Sequence, residues 1–274
     1  MKATFKRTLL AALALTGSAQ AELGTLKETL WLGYFTGWEE KAYDFGIGSD
    51  AEILMVMKNN KRERINFRDF KVNYLVQEEI KGKWVTRKID EASLSSESEP
   101  EIDPSDPVKV TFSVTGDTKV AFTHVMSRGM MTVKAELLEK TTENPIRLGL
   151  AINFPPFNKG GDLAELDERE LKKKFRSDRF EAVRKSDGEK LKLKFHEPVD
   201  FSSEEVLAEG ATEIEVQSDG VGAGDFLAEL GHEDMGTILV SGGAKLYEGK
   251  YKLTWLPDMD KLKERDNYIS FGLK

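Results

Sequence analysis

The chain has 274 residues, three histidines (His124, His196 and His232) and no cysteine. That composition excludes thiolate nucleophiles, thiolate zinc and iron–sulfur centres, disulfides and cysteine lipidation. His196-Glu197 and His232-Glu233 both lack the second histidine that a zinc-binding H-E-x-x-H helix places four residues on. Isolated histidines of this kind are ordinarily surface or hydrogen-bonded groups. There is no G-x-S-x-G elbow and no serine followed by lysine three residues later, the two commonest signatures of an activated serine. Ser241-Gly242-Gly243 is the nearest approach, and its neighbours suit a turn. A serine–histidine–acid site assembled from distant segments leaves no sequence signature, and nothing here supports one.

Carboxylates are abundant, and their spacing decides what they can do. Asp258 and Asp260, with Glu264 and Asp266 beyond, supply the hard oxygen ligands that calcium takes. They lack the glycine and third ligand of an EF-hand loop, and a polar strand connection explains them equally well. No cofactor is expected, and calcium is the one ion that these hard oxygen groups would suit, with Asp258 and Asp260 as the candidate ligands. Glu165, Asp167 and Glu170, spaced E-x-D-x-x-E, would form a carboxylate hydrolytic site only on a strand, where residues i and i+2 share a face. Here the flanking periodicity is helical, which turns Glu165 and Asp167 to different sides. Gly220-Val221-Gly222-Ala223-Gly224 lacks the following lysine and the parallel strand of a phosphate-binding loop, and reads as a turn. Phe226 to Leu230, just after it, suits a flap over a groove.

The aromatic residues are more suggestive. Trp31, Tyr34, Phe35, Trp38, Tyr43 and Phe45 are crowded into one short stretch, with Trp84 and Trp255 further on. Such rings either fill a core, the commoner fate, or form an exposed platform on which sugar rings stack. On the second reading Trp31, Tyr34, Trp38 and Trp84 are the candidate ligand-stacking residues. Gly33 and Gly37 argue against a helix and suggest a hairpin turning at Thr36-Gly37.

The elements that must position these residues are mostly strands. Phe70, Val72, Tyr74 and Val76 alternate with polar residues, Lys81-Gly82-Lys83 interrupts, and Trp84-Val85-Thr86 resumes, the pattern of a hairpin. A second hairpin spans Phe180 to Phe195 about Ser186-Asp187-Gly188, and a third runs from Thr237 to Trp255. Val108–Val114, Lys119–Val125, Met130–Leu138, Ile146–Phe154, Thr212–Gln217 and Tyr268–Phe271 read as further strands. Short strands with frequent turns, and no strand–helix alternation, predict a mainly β fold, an antiparallel β-sandwich of jelly-roll or Ig-like type. One helical insertion is expected near 162–176. Asp162 caps it, acidic residues load its start and Lys172 to Lys174 its end, complementing the helix dipole. A shorter helix is expected from Ser202 or Ser203, with Glu205 completing a capping box.

Residues 1–21 have a basic start (Lys2, Lys6, Arg7), an apolar run from Leu9 to Leu15 and a small-x-small end, Ala19-Gln20-Ala21. That is a signal peptide, and the run is too short to span a bilayer. The remaining chain, 22–274, has no transmembrane stretch and is expected to be a soluble β-rich region. Export without disulfides leaves its stability to the core. Glu91 to Pro107, rich in serine, acid and proline, is expected to be a mobile loop within one unit, the alternative being a linker between two β domains. The net charge is −8, and −11 without residues 1–21, which argues against nucleic acid or an anionic membrane as partner. No asparagine begins a glycosylation sequon, which fits bacterial origin and a periplasmic or extracellular home. The expected function is a non-catalytic binding or structural module, with a carbohydrate or envelope glycan as the first ligand to try. The alternatives are a secreted carboxylate-dependent hydrolase of glycosidase type and a component of an envelope protein assembly.

Overall fold

The computed structural model describes residues 34–59, 61–65, 69–97, 106–156, 163–203, 206–218, 224–242 and 245–274. The signal peptide expected at 1–21 and the candidate Trp31 therefore lie outside the described residues. The described chain is mainly β, and every strand pairing in it is antiparallel. The ladders link the strands into one curled sheet, half of a barrel, rather than two separately laddered sheets.

The first strands are β1 (Tyr34–Glu39), β2 (Tyr43–Gly48), β3 (Ile53–Met57), β4 (Phe70–Ile80) and β5 (Lys83–Thr86). Then come β6 (Ile89–Glu97), β7 (Val108–Val114), β8 (Thr118–Ser127), β9 (Met130–Glu139) and β10 (Ile146–Asn153). After the helix α1 (Glu168–Lys174) follow β11 (Arg179–Arg184), β12 (Lys190–Lys194), β13 (Ala211–Gln217) and β14 (Phe226–Leu230). The last three are β15 (Gly236–Ser241), β16 (Lys252–Pro257) and β17 (Ile269–Leu273). Across the sheet, β1 to β4 follow one another, β10 lies beside β4, β16 beside β10 and β15 beside β16. Beyond β15 the sheet continues through β13, β14, β17, β9, β8 and β7 to β6, with β11 and β12 branching from β13.

Alternation places the core. On β4 the residues Phe70, Val72, Tyr74 and Val76 are buried, and Lys71 and Asn73 between them are exposed. The same parity buries Leu148, Leu150 and Ile152 on β10 and Leu253 and Trp255 on β16. One cluster runs from Trp38 to Leu273, so residues on both sides of 91–107 pack together. Aromatic rings carry much of it. Phe226 stacks on Phe70 at 5.3 Å and 8°, Phe154 meets both edge-on at 4.7 Å, and Tyr251 lies on Phe154 at 4.4 Å. The turn between β4 and β5 has Lys81 and Gly82 both at positive φ, 52° and 75°, as a two-residue hairpin of primed type requires.

Several expectations need correction. β1 runs straight through Thr36-Gly37, and its hairpin with β2 turns at 40–42 instead. Glycine is tolerated there because the strand ladder carries the backbone, whatever the side chain. Part of the acidic serine-rich segment is not a loop. β6 pairs with β7 through Ser95 to Thr111 and Ser96 to Val110, and the Ser93 hydroxyl accepts from Ser113 N–H. A ladder of backbone bonds needs no apolar face, which is why composition misled. Phe226 to Leu230 is a core strand with Phe226 fully buried, not a flap. The helix is only seven residues long. Asp167 caps it in a reciprocal box with Glu170, while Asp162 lies outside the described residues. No helix begins at Ser202 or Ser203; the described part of that segment is a series of turns. Among the described residues no helix is long and apolar enough to cross a membrane.

Two buried polar groups join distant segments. The Glu78 carboxylate accepts from Arg87, from Thr142 Oγ1 at 2.7 Å and from Asn144 Nδ2 at 2.6 Å, tying β4 to the segments after β5 and before β10. These donors, Asn144 first, hold its pKa down at about 2. His124 is wholly buried on β8. Its Nδ1–H donates to Val108 O at 3.2 Å, so Nε2 accepts from the Tyr74 hydroxyl at 3.3 Å. Burial holds its pKa down at about 4, against 6.5 for a free imidazole. The unfolded chain therefore takes up a proton that the fold refuses. Stability is complete above about pH 6.5 and declines as pH falls towards about 4, by up to about 3 kcal/mol. Carboxylates with lowered pKa, such as Glu78, lose their contribution only below about 4.5, so the two windows separate. Urea melts between pH 7 and 4.5 should show this slope in the native protein and lose it in His124→Gln. A slope unchanged by the substitution would assign the acid sensitivity elsewhere.

Candidate functional site

The outer face of the sheet carries a concavity with a mixed apolar and polar lining. Four neighbouring strands, β4, β10, β16 and β15, form its floor and walls, and Val199 to Ser202 with Leu207 and Ala208 close one side. Its volume is about 690 Å³.

The register shows how it arises. Outward residues of β4 include Leu75 and Gln77, and those of β10 are Arg147, Gly149, Ala151 and Asn153. Ala151 stands opposite Thr254 on β16, and Thr254 opposite Leu239 on β15. Glycine and alanine in the middle strand leave a depression between the leucines Leu75, Leu239 and Leu256. Apolar side chains on the outer face would be unfavourable in open water. Here the segment after β12 shelters them: Val199, Phe201 and Leu207 are buried, and Phe201 is anchored on Phe180 at 5.6 Å. Asp200 accepts from Ser202 N–H at 2.9 Å and from the Ser202 hydroxyl at 2.6 Å, which holds its carboxyl below the usual range and fixes the turn.

Polar groups gather at the two ends. At one, Arg147 Nε donates to Gln77 Oε1 at 2.6 Å, and Gln77 Nε2 donates to Thr86 Oγ1 at 3.0 Å. The Arg147 guanidinium lies over the Trp84 ring at 4.2 Å from its centre, a cation–π arrangement. At the other end stand Ser241 and Lys252. Lys252 is in register with Asn153, six residues along β10 from Arg147, so the ends are about 20 Å apart.

The residues singled out from sequence are scattered relative to this groove. Trp84 stands at its Arg147 end, 37% exposed. Trp38 is 3% exposed and packs on Phe45 at 5.8 Å; its ring belongs to the core and offers no face for stacking. The ladder decides this, because Trp38 stands opposite Phe45 on the buried face that β1 and β2 share. Tyr34 begins β1, with its side chain outside the described residues, as is Trp31. Asp258 caps a short 3-10 turn by accepting from Asp260 N–H at 3.0 Å, and it pairs with Lys261 at 3.7 Å. That gives the Asp258-Met259-Asp260 pattern a local structural use, and Asp260 is exposed. Among the described residues no three His, Asp or Glu side chains converge as metal ligands would. His196 and His232 each lie near a local acid, Glu197 at 3.6 Å and Asp234 at 4.0 Å.

Arg147, Gln77, Leu75, Leu239, Leu256 and Asp200 were not picked out from sequence. A signal for the leucines was present. Each occupies a position of outward parity in a strand whose alternate residues are also apolar, so the strand reads as apolar on both faces. Reading it required knowing that four such strands are neighbours. In comparisons with known proteins, no family model, no curated protein and no solved structure matches this chain.

Proposed function

We propose that this protein is an exported, non-catalytic binding module whose outer-face groove takes a glycan of the cell envelope. The observation that carries the reading is the groove itself. An elongated apolar floor is edged by side-chain amides, hydroxyls and an exposed indole, which is the chemistry a sugar chain offers in complement. A span of about 20 Å suits an oligosaccharide of several units better than a single ring. The signal-like residues 1–21 support export to the periplasm or beyond. A hydrolase acting through two carboxylates has less support, because Asp200 is the one acidic side chain among the described lining residues and Ser202 engages it.

The test is calorimetric titration of the purified protein with envelope oligosaccharides, beside the variant Ser241→Trp. Ser241 is exposed at the groove edge on a strand, where an indole is well tolerated and fills the space. Affinity should fall by at least about tenfold, roughly 1.4 kcal/mol, with the melting temperature unchanged. Equal binding by the variant would move the site elsewhere, and no binding by the native protein would remove the glycan reading.

A further inference from the structure

Arg147 is a cation without a carboxylate. Among the described residues it makes no ion pair, although the protein is acidic overall and Lys71 on β4 and Arg87 beyond β5 each pair with a carboxylate. Glu79, on the same face of β4, forms no ion pair with it. Its Nε is committed to Gln77 Oε1, and Gln77 is held in turn by Thr86. Trp84 supports one face of the guanidinium. The side chain is half-buried, and that loss of water raises the cost of leaving its charge unanswered. A guanidinium fixed in orientation by a hydrogen bond and a ring, at the end of a ligand-sized groove, keeps its terminal N–H fork for something outside the chain. Carboxylates match that fork geometrically, with two parallel N–H···O bonds.

We infer that the glycan taken by the groove is an acidic one, whose sugar carboxylate is received by Arg147 while the chain lies along the apolar floor towards Lys252. This rests on the groove being a glycan site. The local charge agrees: the described lining holds Arg147 and Lys252 against Asp200 alone, in a chain of net charge −8. Gln77 and Trp84 then act as positioning residues. They hold the guanidinium and pay its ordering cost before the ligand arrives.

Two probes separate the inference from the reading it rests on: a neutral chitotetraose and an acidic tetragalacturonate, titrated into the native protein by calorimetry. The acidic probe should bind about tenfold tighter at low salt. Raising the salt from about 0.05 M to about 0.5 M should shrink that preference, since a half-exposed pair is screened. Arg147→Gln should abolish the preference, the two probes then binding alike. Arg147→Lys should restore only part of it, because an ammonium lacks the planar fork. Equal binding of the two probes, or a preference that survives Arg147→Gln or high salt, overturns the inference and leaves the groove as a neutral-glycan site. Failure of both probes to bind overturns the groove reading and the inference together. The salt series uses the native protein, so it decides the matter even where Arg147→Gln folds poorly.

Discussion

Gly149→Val is expected to yield little folded protein, and Gly149→Ala to be destabilised by about 2 kcal/mol or more, against what strand propensity predicts. Glycine inside a strand is ordinarily a weakness. Replacing it by alanine should gain about 0.5–1 kcal/mol, because the unfolded chain loses freedom. Position 149 reverses the sign. It lies in the middle of β10, between β4 and β16, and an added Cβ would collide with the carbonyl oxygen of Trp255 and stand 3.2 Å from Leu256 Cδ2. A side chain can turn aside, but a ladder carbonyl in a central strand cannot move without breaking its neighbours' hydrogen bonds. Chemical denaturation of Gly149→Ala at pH 7 is the direct check. A variant as stable as the native protein would mean that β10 and β16 are further apart than described. The same close approach keeps the groove floor low, so a folded Gly149→Ala should also bind its ligand more weakly.

The second large effect is expected at Phe226. Its ring is fully buried, stacked on Phe70 and met edge-on by Phe154, which itself carries Tyr251. Truncation to alanine removes the transfer energy of the ring and leaves a cavity that three rigid rings cannot refill. The cost should be about 3–5 kcal/mol, seen as a fall of roughly 10 °C or more in melting temperature. Phe226→Leu, which restores most of the volume, should recover more than half of that. The measurement also discriminates between two roles for this segment. A residue on a flap beside the glycine run would lose at most about 0.5 kcal/mol on truncation. A loss that small would detach β14 from the core and undo its pairing with β13 and β17.

These two positions illustrate what was legible beforehand and what was not. The strands from Val108 to Glu139 could be read from alternation because one face of each is more buried than the other, so period two is written into residue type. The β4–β5 hairpin was legible for the same reason, aided by Gly82. Phe226 was obscured by the adjacent glycines, which dominate a local window while the burial of β14 is decided by strands β13 and β17, distant in sequence. The extent of β6 was obscured because its stability comes from backbone bonds to β7, to which side-chain composition is blind. The helix was legible from its charge gradient, but the expected span was about twice the observed seven residues, since the Asp167–Glu170 box falls inside it.

The candidate site follows the same division. Trp84 could be nominated from its type, but so could Trp38, and nothing local tells an exposed ring from a buried one. Arg147 could not be nominated at all. Its significance lies in what is beside it, Gln77 from β4, Trp84 from β5, and the absence of an acid among its described neighbours. By itself, then, the sequence determined the class of fold, most of the strands and the absence of thiol chemistry, because each depends on residue type or short-range period. Only the tertiary structure decided which rings are core, that the strands join in one curled sheet, and that four outward strand faces make a groove ending in an arginine that has no carboxylate partner among the described residues. Those features depend on neighbours far apart in the chain, and strand order, on which they rest, leaves no mark on local pattern.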